Sequence, residues 1–181
     1  MSEIKRGGAR PGAGRALQRK KRTEPAGKLT WREYTSAEWD KLCGVSPDLR
    51  HRETGRFVFN KNGVCINPHV LGLAARDWRI GIYTAKTPSG LWSHARDVSF
   101  NTAGWGAYPW RLSFDGKSSE DEARCAELHA IAAWVELNAD QQKVSCPISG
   151  AHATAALSLI REKIDELSTP KLPIYTQLSL F

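Results

Sequence analysis

Apolar and polar residues alternate along the middle of the chain and recur at helical spacing toward its end. Arg56-Phe57-Val58-Phe59-Asn60 predicts a strand, and Asn62-Gly63 is hairpin-turn chemistry leading into Val64-Cys65-Ile66. Val70 to Ala75 is apolar without a clear period, which leaves helix and strand both open. Three further strands are predicted at Arg79–Ala85, Trp92–Phe100 and Tyr108–Phe114. Thr87-Pro88-Ser89-Gly90 supplies the turn between the first two, and Asn101 to Gly106 the next connection.

Helices flank this sheet. Thr35 or Ser36 can cap a short one through Glu38, Trp39 and Leu42, with Gly44 ending it. Ser118 or Ser119 caps a second, and Glu120, Asp121 and Glu122 stand where the helix dipole favours acids. It runs to about Asn138, with a partial apolar stripe from Ala126, Leu128, Ile131, Trp134 and Val135. A third spans about Ala151 to Leu167, carrying Leu157, Ile160, Ile164 and Leu167 on one side, and Thr169-Pro170 stops it. The expected fold is α+β: a small antiparallel sheet with helices packed on one face, over residues 29–168.

Charge changes this picture at one end. The chain of 181 residues carries +7, and residues 1–28 alone hold nine Lys or Arg against two Glu, so residues 29–181 are neutral. Those first residues are rich in Gly and hold almost nothing that could enter a core, which predicts a disordered basic arm. Such an arm would find phosphates from a distance and bind DNA without sequence preference, in a salt-sensitive way. The candidate DNA contacts are Lys5, Arg6, Arg10, Arg15, Arg19, Lys20, Lys21 and Arg22. The stretch Arg10-Pro11-Gly12-Ala13-Gly14-Arg15 loosely resembles an AT-hook, without the Arg-Gly-Arg-Pro centre. The longer run from Gly7 to Arg15 resembles N-terminal tails of phage and mobile-element proteins.

The other end carries the most specific signal. After a tether containing Pro170 and Pro173, the chain closes on Gln177-Leu178-Ser179-Leu180-Phe181. This resembles the pentapeptide by which bacterial proteins dock on the DNA sliding clamp, whose preferred form is Gln-Leu-Ser/Asp-Leu-Phe. The resemblance covers five residues of 181 and matches at each of them. It implies a partner, not a fold or an activity. Leu180 and Phe181 suit neighbouring apolar pockets, Leu178 adds a smaller contact, and Gln177 offers a donor and acceptors at a polar rim. A final strand packed on the protein's own core is the competing reading.

Candidate chemistry elsewhere is thin. Cys43, Cys65, Cys125 and Cys146 include no CxxC pair, so buried free thiols are expected rather than a zinc site drawing on His69 or His129. Trp92, His94, Arg96, Trp105, Tyr108, Trp110 and Arg111 interleave aromatics with cations, which suits base stacking or a sheet's core face. Alternation puts Trp92, His94, Arg96 and Val98 on one face, a mixture typical of neither. Gly81-Ile82-Tyr83 resembles the first half of the GIY-YIG nuclease signature, but Gly90-Leu91-Trp92 stands where its companion belongs. His129 and Glu136 share a predicted helix without a nucleophile. No Walker loop or methyltransferase motif is found, and no catalytic residue, metal or cofactor is assigned.

No apolar run approaches the ~20 residues of a membrane span, and the charged N-terminus is unlike a secretory signal. A cytoplasmic protein is expected. The combined expectation is a DNA-associated accessory protein of a phage or mobile element, brought to the bacterial sliding clamp by its tail. A clamp-recruited nuclease and an inhibitor that occupies the clamp pocket are the alternatives.

Overall fold

The computed structural model describes residues 29–44, 56–112, 115–140 and 147–169. Its elements follow in the order β1 (Arg32–Tyr34), α1 (Ser36–Cys43), β2 (His69–Ala74), β3 (Arg79–Lys86), β4 (Trp92–Ser99), β5 (Gly104–Gly106), α2 (Glu120–Ala139) and α3 (Gly150–Ser168). The fold is α+β, as the sequence pattern implies. The five strands lie side by side in chain order and every neighbouring pair is antiparallel.

Local chemistry sets the helix ends. Thr35 caps α1 in a full capping box: its Oγ1 accepts from the Glu38 amide at 3.2 Å, and its own amide donates to Glu38 Oε2 at 2.8 Å. Gly44 closes that helix in the left-handed region, φ 76°, where a side chain would be strained. Ser119 caps α2 and Ser149 caps α3. Thr169 is the C-cap of α3.

The sheet separates two cores. On one face Leu71, Leu73, Ile80, Ile82 and Val98 meet Leu128, Ile131 and Val135 of α2, with Ala153, Ala156 and Ile160 of α3 behind. The two long helices therefore lie together on this face. The short helix α1 crosses the opposite face, where Trp39 packs with Val70, Tyr83 and Ala95. Gly72 and Gly81 make room for it: a Cβ on Gly81 would come within 2.6 Å of the indole, and one on Gly72 would also meet that ring. Glycine here serves close approach, not a special backbone angle. Farther along the same face the Tyr108 ring stacks on Tyr83, centroids 4.9 Å apart and 7° from parallel.

Several expectations shift. The ambiguous apolar run is a strand, β2, whose residues are buried on both faces. The Asn62-Gly63 turn forms, but the strand expected at Arg56–Asn60 does not: the arms of the turn make only isolated bridges, Phe59 to Cys65 and Val64 to Trp110. The strand expected at Tyr108–Phe114 is absent in its described part, where Trp110 makes one isolated bridge to Val64. The segment expected as a connection holds β5 instead, paired with β4 through Val98 and Trp105. Pro109 lacks an amide for a ladder, whereas Gly104, Trp105 and Gly106 pair with Ser99, Val98 and Asp97 of β4.

Candidate functional site

The inner face of β4 carries two basic side chains toward the helices. His94 and Arg96 point at α2 because they alternate with Ala95 and Asp97, which face α1. Their shared partner is Glu127, a carboxylate 1% exposed within the apolar stripe of α2. Its Oε1 lies 2.7 Å from His94 Nδ1 and accepts from Arg96 Nη2 at 3.0 Å. Arg96 Nε also approaches Glu127 Oε2 at 2.6 Å, though without the alignment of a hydrogen bond. The other imidazole nitrogen lies 3.1 Å from the Asp115 carbonyl oxygen. A buried charge requires such partners to stand. The Arg96 guanidinium also lies over the Trp105 ring at 3.7 Å, and Trp105 stacks on Trp134 at 5.9 Å. The aromatics and cations of this face thus serve packing between sheet and helix; Trp105 is committed to protein partners.

Glu120 opens α2 beside this cluster. It accepts from Thr84 Oγ1 at 2.7 Å and from Arg124 Nη2 at 2.9 Å, and meets His69 Nδ1 at 3.0 Å. Burial pushes its carboxyl up, but the hydrogen bonds from His69 and Thr84 and the Arg124 charge outweigh this and hold it below the usual value. Arg124 reaches on to Glu33 of β1 at 2.9 Å, so the helix start is tied to the sheet edge.

On the opposite face Asp97 gathers three donors at one oxygen. Trp39 Nε1 and Arg79 Nε donate at 3.2 Å each and Cys43 Sγ at 3.3 Å. Burial first, and then the Asp97 charge, push the Cys43 thiol up to about 12. Burial likewise pushes Cys65 up to about 11. Thiols held protonated in this way are poor nucleophiles at neutral pH. Burial, with Asp97 second, also raises Tyr83. The Gly81-Ile82-Tyr83 run is thereby accounted for by packing: Gly81 admits Trp39, Ile82 fills the core and Tyr83 stacks on Tyr108.

Beside this network lies an open groove of about 830 Å³ between β1, α1 and the β2–β3 turn. Arg32, Lys41, Arg76 and Arg79 line it, with Glu38 and Asp77 as its carboxylates. The other exposed feature is apolar: Trp110 is 55% and Leu112 68% exposed. His129 and Glu136 lie on the outer side of α2, where Arg161 Nη2 donates to Glu136 Oε1 at 3.2 Å.

Among the described residues, no group of three or more His, Cys, Asp or Glu side chains is arranged to hold a metal ion. No helix among them is long and apolar enough to cross a membrane. The residues that the sequence singles out most strongly lie outside the described residues: the arm contacts Lys5, Arg6, Arg10, Arg15, Arg19, Lys20, Lys21 and Arg22, and the tail Gln177 to Phe181. Sequence reasoning missed Glu127. Its signal was present, since two basic side chains on the inward face of one strand call for an acid across from them. No protein-family model, curated protein or solved structure matches this chain.

Proposed function

We propose that this is a DNA-associated accessory protein, of a phage or other mobile element, recruited to the bacterial sliding clamp by its terminal pentapeptide. The observation that carries the reading is the sequence Gln177-Leu178-Ser179-Leu180-Phe181, which agrees with the clamp-docking form at each position. The basic arm at the opposite end of the chain supports the DNA part. In this reading the clamp encircles DNA and the tail holds the globular domain beside it. The arm then meets phosphates already at high local concentration, so two weak grips act together.

Calorimetry on a purified bacterial clamp tests the proposal. Leu180 and Phe181 are the expected anchors, and truncating such anchors costs at least ~2 kcal/mol each. Replacing both by Ala should abolish measurable binding and leave thermal unfolding unchanged. Gln177→Ala should cost about 1 kcal/mol, the worth of one ordinary hydrogen bond. A peptide of residues 170–181 should compete with the whole chain. No heat from the unaltered protein removes the reading, and a double variant that unfolds selects a tail packed on its own core. Metal-dependent cleavage of DNA would select the nuclease alternative, and block of clamp-dependent synthesis without DNA binding the inhibitor.

A further inference from the structure

We infer that the groove between α1 and the β2–β3 turn is a second DNA contact, built to take a run of phosphodiester backbone. The inference rests on the DNA-associated reading above and assigns part of that work to the folded domain. Three observations carry it. The first is the groove's charge. Residues 29–181 are neutral as a whole, yet four cations and two carboxylates line this one surface, so the positive surplus is local.

The second is how those charges are committed. Arg79 is already held by Asp97. The carboxylate of Glu38 is turned back to the Thr35 amide and hydroxyl in the cap of α1. Arg32 lies over the Tyr34 ring at 5.5 Å, and its charge also acts on the Glu38 carboxylate. Lys41 and Arg76 are exposed, and no carboxylate lies within salt-bridge distance of either among the described residues. Arg32, Lys41 and Arg76 thus come from three separate elements around one open groove. Asp77, next to Arg76, opposes an anion and sets a ceiling on affinity.

The third observation is continuity. The basic first 28 residues join the fold at Leu29, and three residues on, Arg32 of β1 already lines the groove. One strand of backbone could therefore pass from arm to groove without leaving positive potential. The groove contributes register, because its cations are carried on β1, α1 and the short turn between β2 and β3.

Fluorescence anisotropy with a 20-base-pair duplex, over a series of salt concentrations, tests this on the full chain. Lys41→Glu/Arg76→Glu should weaken binding at least tenfold at low salt. It should also lower the slope of log K against log salt by about 2, since each lost phosphate contact removes ~0.9. Asp77→Asn should tighten binding. Lys86→Glu/Arg161→Glu, which changes the net charge equally at exposed positions outside the groove, should have a much smaller effect. An unchanged slope in the groove variant, or an equal loss in the control, overturns the inference. If the groove variant is silent while neutralising the arm cations abolishes binding, the arm alone carries DNA and the proposed function stands. If the unaltered chain fails to bind duplex at all, both the groove and the DNA part of that function fall, and clamp calorimetry still judges the tail.

Discussion

Glu127 Oε1 lies 2.7 Å from His94 Nδ1, which places a fully buried acid of α2 against the inward-facing basic side chains of β4. The pair, with Arg96, fixes how the helix sits along the strand, because an apolar stripe alone can slide. Glu127→Gln keeps the shape and removes the charge, leaving Arg96 facing a neutral amide. Breaking a buried pair from one side costs about 3 kcal/mol or more, and partial exposure of Arg96 reduces this, so we expect about 2 kcal/mol by urea denaturation. Arg96→Met in the same chain should then cost less than it does alone, a coupling that a double-mutant cycle reads directly.

Gly81→Ala should be costly for a different reason. Its Cβ would lie 2.6 Å from the Trp39 ring, which has no free space to yield into, since Trp39 is fully buried. Overpacking of this kind costs about 1–3 kcal/mol. In a Trp39→Leu background the same alanine should cost little, and thermal unfolding of the four proteins measures the difference. An additive pair would show that the glycine matters for some reason other than the indole.

Acid should loosen the start of α2. Glu120 has a folded value below its ordinary 4.5, so its stabilisation is present above pH 4.5 and is lost as pH falls through the lower folded value. Thr84→Val removes one hydrogen bond to that carboxylate. The variant should be less stable at pH 7 and should lose stability less steeply between pH 5 and 3, as urea midpoints across that range will show. A parallel decline would place the acid sensitivity elsewhere.

Deleting residues 1–28 removes nine cations and should cut affinity for non-specific duplex sharply and flatten its salt dependence. The binding that remains should be the share sensitive to Lys41 and Arg76. A truncated protein with the full affinity and slope would contradict the arm assignment.

How far the sequence revealed this molecule depends on which forces act locally. Caps are local, and Thr35, Gly44 and Ser119 are all readable from a few neighbouring residues. The strand β4 announces itself by partial alternation, and β3 by β-branched and aromatic residues bounded by the Pro88-Ser89-Gly90 turn. Shorter elements do not. β1 spans three residues, too few for any period, and exists because β2 lies beside it. β5 carries the Gly-Trp-Gly of a connection and becomes a strand only through its pairing with β4. Val70 to Ala75 is ambiguous in the sequence because a strand covered on both faces shows no alternation. Of the candidate site, His94 and Arg96 are visible in the sequence, but their meaning depends on Glu127, thirty-one residues beyond Arg96. The groove was invisible because its residues converge from β1, α1 and a turn.

The margins of the sheet have one more consequence. β1 and β5 each expose only three residues' worth of unpaired backbone to the outside. β1 is Arg-Glu-Tyr, charged at two of its three positions, and β5 sets a single tryptophan between glycines. Among the described residues, neither margin offers the long, flat, apolar template on which a strand from another molecule could zip. Copies of this domain crowded together on one stretch of DNA would therefore collide without fusing into a common sheet. If its ends gather many copies in one place, as proposed, these margins keep the middle from sticking.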